Sequence, residues 1–209
     1  MPQAMPMVFI VDDDISVRES LPPLFTLLGW QSETFASAEE FLARPPCTAP
    51  SCLILDVRLP NLDGLELQNR LTLDRDHIPI IFITGHGDVP MTVQAMKAGA
   101  VEFLTKPFVD EVLVDAIRHA LDRSTDALRH AHELRALRDH YASLSERERE
   151  VMGLVVSGLL NKQVAAELGI SEVTVKAHRG QVMRKMKADS FAALVNMAAG
   201  LGIAAPAKA

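Results

Sequence analysis

The chain has 209 residues, 48% of them hydrophobic and 23% charged, which is the composition of a globular protein and not of a disordered or fibrous one. Its net charge of -6 lacks the bulk positive charge of a nucleic-acid binder. Its apolar runs fall far short of the ~20 residues that a membrane span requires, so no membrane partner is expected.

Two smaller readings concern the compartment. Residues 1–7 hold no basic region ahead of an apolar stretch, so no signal peptide is expected. Cys47 and Cys52 are the two cysteines, and they lack metal-ligand spacing, which suits a reducing cytoplasm better than a disulfide scaffold. The net charge also conceals a division. Residues 1–121 carry 8 Lys+Arg and 17 Asp+Glu, a net of -9. Residues 122–141 carry 4 of each, and residues 142–209 carry 9 basic and 6 acidic groups, a net of +3. An acidic part joined to a mildly basic part suggests two tasks.

In chain order, β-rich apolar runs at 7–11, 32–35, 52–55, 78–83 and 100–104 alternate with helical patterns at 16–28, 38–43, 65–73, 91–98 and 109–121. Five such units in alternation predict a parallel sheet with helices on both faces. Val8-Phe9-Ile10-Val11 and Ile80-Ile81-Phe82-Ile83 are apolar without alternation, as strands buried on both sides require. Ser37 with Glu40 and Asp63 with Glu66 have capping-box spacing. Pro22-Pro23 is expected to kink or interrupt the first helix.

Residues 110–140 read as one long helix or two nearly continuous ones. Leu121, Leu128 and Leu134 or Leu137 form a weak apolar stripe there, which fits an interdomain helix, a short coiled-coil contact or a solvated connector. From Ser145, which has capping-box spacing with Glu148, the chain reads as helices at 146–157, 162–168, 172–186 and 190–199. The tail, 204–209, reads as disordered.

Ligands of an open parallel sheet bind outside the carboxyl ends of its strands. Asp12-Asp13-Asp14 follows the first strand, Asp56 the third, Thr84-Gly85 the fourth and Lys106-Pro107 the fifth. Crowded carboxylates repel unless a cation sits among them, and hard oxygen ligands suit magnesium completed by a phosphate. The group therefore reads as a divalent-metal and phosphoryl site. Asp56 is the expected nucleophile. Asp12 and Asp13 would hold the metal, Lys106 would pair with a phosphate oxygen, and Thr84 would donate a hydrogen bond to another. A cis bond at Lys106-Pro107 is expected to aim the ammonium. Taken singly, an Asp at a strand end is more often a helix cap, as Asp14 could be, and a lone Lys-Pro is more often a surface turn.

Val11-Asp12-Asp13, Leu55-Asp56 with Arg58-Leu59-Pro60 and Asp63-Gly64, Thr84-Gly85-His86, and Lys106-Pro107-Phe108 resemble the signature of the receiver domains of bacterial response regulators. The resemblance covers roughly residues 5–121. It implies phosphorylation at Asp56 and a magnesium or manganese ion held by Asp13, Asp56 and the backbone carbonyl of Arg58, with Asp12 in support. It also implies a phosphoryl-binding and switch set of Thr84, Gly85, Phe103 and Lys106. The stretch from Thr84 to Met91 is similar to the FixJ-type branch. Leu59 stands where Met is common.

Residues 162–186 have the layout of a helix-turn-helix, with a Gly-containing turn and a second helix opened by Ser171. Val164, Ala165, Leu168, Ile170, Val175, Val182 and Met186 would pack its helices together. Lys176 and Arg179 are the candidates for base edges or phosphates, and Lys162 for the DNA backbone. An ordinary helical bundle with a solvated basic face has the same layout. The runs Leu144 to Val151, Gly158 to Ala165 and Ile170 to His178 resemble the LuxR-type DNA-binding domain, over about residues 142–203. That resemblance implies that Thr174, Lys176, Ala177, Arg179 and Gly180 face DNA and that 190–199 is a dimerisation helix. Gly180 departs from the Lys or Ala often found at its position.

The expected fold is thus an α/β receiver over 1–121, a flavodoxin-like, doubly wound five-stranded parallel sheet. A helical linker over 122–141 and an all-α helix-turn-helix domain over 142–209 follow it. The expected function is a two-component transcriptional regulator of the FixJ/NarL type. That resemblance implies that a sensor histidine kinase would phosphorylate it on Asp56, that it would form a homodimer when phosphorylated, and that it would bind double-stranded promoter DNA, with RNA polymerase as a further partner. It is not expected to be an enzyme in the ordinary sense, although the receiver would catalyse its own phosphorylation and dephosphorylation. Two rivals remain: a phosphohydrolase with an aspartyl nucleophile, disfavoured by Arg58 where such enzymes often place an acid, and a ligand-driven DNA-binding regulator with a degenerate receiver.

Overall fold

The computed structural model describes residues 5–73, 78–85 and 87–203; the tail expected to be disordered, and His86, lie outside the described residues. The chain divides into two compact units, residues 1–129 and 130–209.

The first unit is a five-stranded parallel sheet in the order β2-β1-β3-β4-β5. Its strands are β1 (Met7–Val11), β2 (Gln31–Phe35), β3 (Ser51–Asp56), β4 (Ile80–Thr84) and β5 (Glu102–Thr105). Between them run α1 (Ile15–Leu27), α2 (Ala38–Leu42), α3 (Gly64–Leu73) and α4 (Val89–Lys97), and α5 (Asp110–Ala142) follows β5. Because side chains alternate along a strand, each strand feeds two cores. Phe9, Val11, Leu53, Leu55 and Phe82 meet Phe41, Leu67, Leu71 and Ala95 from α2, α3 and α4. Val8, Ile10, Cys52, Ile54, Ile81 and Ile83 meet Leu21 and Phe25 of α1 and Leu113, Ile117 and Ala120 of α5. Burial on both faces explains the unbroken apolar runs. Cys52 lies wholly inside this second core, where burial pushes its thiol pKa up.

Three strands end one residue later than apolar character alone indicates. Asp56, Thr84 and Thr105 are in the ladder, paired across to Ile83 and to one another. Two strands also start later. Pro79 precedes β4, and Ala100 donates its N–H to Ala95 in the turn that leaves α4. Helix α1 is not interrupted at Pro22-Pro23. Pro22 is half-buried and Pro23 exposed, and Thr26 Oγ1 donates to the Pro22 carbonyl at 3.0 Å.

Helix α5 is one element of 33 residues. The leucine stripe read along it does not stay together. Leu121 is buried in the core of the first unit, Leu128 is exposed, and Leu137 packs in the second unit. Ser124, buried on α5, accepts the Ser51 N–H at the start of β3.

The second unit carries α6 (Glu146–Val156), α7 (Asn161–Leu168), α8 (Glu172–Met186) and α9 (Phe191–Gly200). Its core joins Val151, Met152 and Val155 with Val164, Val175, Val182, Met186 and Leu194. Ser145 and Glu148 close a reciprocal capping box at the start of α6. Gly169, at φ 65°, ends α7 in the left-handed conformation that glycine adopts without a Cβ clash. Ser171 and Ser190 cap α8 and α9 through their hydroxyls.

Candidate functional site

The parallel register brings the carboxyl ends of β1, β3, β4 and β5 level. Val11 pairs with Leu55, Asp56 with Ile83, and Thr84 with Thr105. The residues just past those ends must therefore share one edge. Carboxylate oxygens of Asp12, Asp13 and Asp56 lie within 4.8 Å of one another, with Asp12 and Asp56 buried and Asp13 exposed.

Lys106 joins two of these carboxylates. Its Nζ lies 2.6 Å from Asp12 Oδ2 and 3.2 Å from Asp56 Oδ2. The Lys106-Pro107 peptide is cis, and the Lys106 N–H donates to the Thr84 carbonyl at 2.8 Å, so Lys106 and Thr84 leave adjacent strands together. Asp12 is further fixed by the Asp14 N–H, which donates to Oδ1 at 2.9 Å. The Arg58 N–H donates to Asp56 Oδ1 at 3.1 Å, while the Arg58 residue is exposed. Asp14 is a helix cap: its carboxylate accepts from the backbone and hydroxyl of Ser16, which hold its pKa below the ordinary value.

The electrostatics follow from burial. Desolvation raises the Asp12 pKa, although the hydrogen bond from Lys106 opposes it. Burial also works against the Lys106 charge, but the hydrogen bond and charge of Asp12, with the charge of Asp56, outweigh it and raise the Lys106 pKa. Lys106 thus stays an ammonium. One ammonium against three carboxylates leaves an excess of negative charge around hard oxygen atoms. Such a donor set fits a divalent cation.

The switch candidates stand beside this group. Thr84 is 1% exposed at the end of β4, and Gly85 follows it on the surface. Phe103 is half-buried, its ring centroid 6.0 Å from that of Phe82. Three contributors were given no role of their own in the sequence reading. Arg18 donates to the Asp12 carbonyl at 2.6 Å, placed there by its position one turn into α1. At Gly64 a Cβ would come within 2.4 Å of the Asp56 carbonyl. At Gly87 a Cβ would come within 3.0 Å of Phe103 Cε1 and 3.4 Å of Thr84 Cγ2. The Asp63-Gly64 motif carried a signal for Gly64. Gly87 stood within the stretch from Thr84 to Met91, but its closest neighbours, Phe103 and Thr105, come from β5.

The second unit places the nucleic-acid candidates on α7 and α8. Lys162, Lys176, Ala177 and Gly180 are exposed. Thr174 is half-buried, its hydroxyl 2.8 Å from the Ser171 hydroxyl at the cap. Arg179 is also half-buried: its guanidinium donates to Asn161 Oδ1 at 2.5 Å and lies 5.6 Å from the Phe191 ring centroid. It therefore ties α8 to the starts of α7 and α9.

Comparison with known proteins agrees with both units. Residues 8–118 match the family described as response regulator receiver domain, and residues 142–198 match bacterial regulatory proteins of the luxR family. Nodulation protein W of Bradyrhizobium diazoefficiens is 52% identical over 199 residues, covering 95% of this chain and 88% of that protein. The transcriptional regulatory protein FixJ of Rhizobium meliloti is 47% identical over 191 residues, covering 91% of this chain and 94% of that protein. The solved structure of the response regulator StyR shares 48% identity at a TM-score of 0.84, covering 94% of this chain and 99% of that one.

Proposed function

The chain belongs to the two-component response regulators that join a receiver domain to a LuxR-family DNA-binding domain, and from that premise we propose that Asp56 is its phosphoryl acceptor and α8 its DNA-reading helix. The protein is a phosphorylation-dependent transcriptional regulator. The observation that carries the assignment is the convergence of Asp12, Asp13 and Asp56 within 4.8 Å, bridged by Lys106.

Asp56 forms a bond from a carboxylate oxygen to the phosphorus of a phosphohistidine on the sensor kinase. The P–N bond breaks, and its electron pair returns to the imidazole. Magnesium or manganese, held by Asp13, Asp56 and the Arg58 carbonyl with Asp12 in support, would neutralise charge on the transferring group. Lys106 pairs with one phosphoryl oxygen, and Thr84 and the backbone at Gly85 donate to others. Hydrolysis by water would return the Asp56 carboxylate and inorganic phosphate, so the receiver would also catalyse its own dephosphorylation. Movement of Thr84 toward the phosphoryl group vacates space that the half-buried Phe103 ring takes up. Arg58, exposed and bonded to Asp56 through its backbone, offers no acid for a phosphohydrolase.

Phosphorylation would promote a homodimer whose two copies of α8 enter successive major grooves of promoter DNA. Lys176, Ala177 and Gly180 face the bases, and Lys162 holds a phosphate. Thr174 and Arg179, bound within the domain, support α8 and contact the DNA backbone. RNA polymerase would be the downstream partner, and the cytoplasm the site of action.

The test is DNA binding and sedimentation of the full chain with acetyl phosphate, with Mg2+, with both and with neither. Both together should raise dimer content and DNA affinity, and either alone should not. Unchanged binding and mass under all four conditions would overturn the proposal.

A further inference from the structure

The face of α8 directed away from the core carries an apolar residue that the basic side chains do not explain. Val173 is the second residue of α8 and is 76% exposed. At about 100° per residue, buried Val175, Val182 and Met186 all fall within about 40° of the direction opposite Val173. Val173 thus stands at the centre of the outward face. Lys176, Ala177, Gly180 and Arg184 fall within about 60° of it by the same spacing, and all four are exposed. Arg179 falls about 120° away and is held by Asn161.

This ridge has a particular shape and charge. Gly180 and Ala177 keep its middle low, so the helix backbone can come close to whatever it meets. Lys176 stands beside it and Arg184 at its C-terminal end, and their positive charge complements the phosphates along a groove. Val173 projects from the N-terminal turn, the part of a recognition helix that reaches base edges. A branched hydrocarbon there can neither donate nor accept a hydrogen bond. In the major groove the thymine C5-methyl is the apolar group that it matches.

Resting on the DNA-binding reading above, we infer that Val173 is a specificity-determining residue that selects thymine, through its methyl group, at one position in each half-site. Lys176 supplies charge and hydrogen bonds; Val173 supplies the apolar discrimination.

The experiment uses the full chain with acetyl phosphate and Mg2+, and a library of random-core duplexes. Wild type, Val173→Ala and Val173→Asn are each taken through selection and sequencing. Circular dichroism melting confirms that the variants fold, as expected for an exposed site. Wild type should prefer thymine at one position per half-site, and Val173→Ala should lose about fivefold of that preference, the worth of a buried methyl contact, while other positions keep theirs. Replacing that thymine by uracil in the selected duplex should weaken wild type by a similar factor and leave Val173→Ala unaffected. An unchanged base preference in Val173→Ala, or equal weakening of both proteins by uracil, overturns the inference. A wild-type chain that selects no sequence overturns the DNA-binding reading itself, and the inference with it.

Discussion

Lys106 Nζ lies 2.6 Å from Asp12 Oδ2, joining the end of β5 to the end of β1 across the strands that carry Asp56 and Thr84. The contact keeps Lys106 charged and partly neutralises the carboxylate group. Lys106→Met removes the one ammonium bonded to Asp12 and Asp56. Divalent-cation affinity should then rise several-fold, because more negative charge is left unbalanced. Acyl-phosphate formation from acetyl phosphate should fall, because the phosphoryl group loses its cation. Calorimetric titration and a phosphate-affinity gel measure the two effects separately.

Asp13→Asn acts in the opposite direction on the metal. Asp13 is the exposed member of the carboxylate trio, so its loss should not disturb folding. Cation affinity should drop by roughly tenfold or more, equivalent to about 1.4 kcal/mol. The same calorimetric titration reads this.

Two glycines test the packing around the site. Gly64→Ala sets a Cβ 2.4 Å from the Asp56 carbonyl, a backbone atom that cannot step aside. It should destabilise the first unit by ~1–3 kcal/mol, measured by urea unfolding. Gly87→Ala meets the Phe103 ring at 3.0 Å and Thr105 Cγ2 at 3.1 Å, both side-chain atoms on β5. It should leave the acyl-phosphate yield near wild type while changing the rise in DNA affinity that phosphorylation produces.

The Glu148–Lys185 pair gives a pH dependence. Glu148 is buried and accepts from Lys185 Nζ at 2.6 Å and from the Ser145 N–H at 2.7 Å. The Lys185 bond and the capping bond hold its pKa below the ordinary 4.5. A depressed carboxylate pKa stabilises the fold above the unfolded value, and the gain is lost as pH falls through the folded value. Glu148→Ala should therefore cost ~1–3 kcal/mol at neutral pH. The difference from wild type should begin to shrink below about pH 4.5. Denaturant melts of the two proteins across that range give the result.

Lys162→Ala tests the backbone contact. Affinity should fall by a similar factor for all DNA sequences, and the slope of log affinity against log salt should lessen by about one.

Much of this architecture was legible because burial on both sides of a parallel sheet leaves unbroken runs such as Val8 to Val11, and because caps such as Ser145 with Glu148 are local. The converging Asp12, Asp13, Asp56 and Lys106 were legible for a topological reason: parallel strands put all their carboxyl ends at one edge. The ends of β3 and β4 were read one residue short, since Asp56 and Thr84 look like loop residues yet remain in the ladder. Pro22-Pro23 was expected to interrupt α1 and does not, although each proline removes a backbone donor whichever face of the helix it occupies. Arg179 illustrates the remaining gap. Its charge suggested DNA, while its bond to Asn161, eighteen positions earlier, arises only through the packing of α7 on α8.

The most direct measurement compares wild type with Asp56→Asn, treated with a phosphorylated sensor kinase domain and Mg2+, for hydroxylamine-labile phosphate and for DNA affinity. Wild type should take up label and bind DNA more tightly, and the variant should do neither. Labile phosphate and kinase-dependent binding that persist in Asp56→Asn would contradict the account.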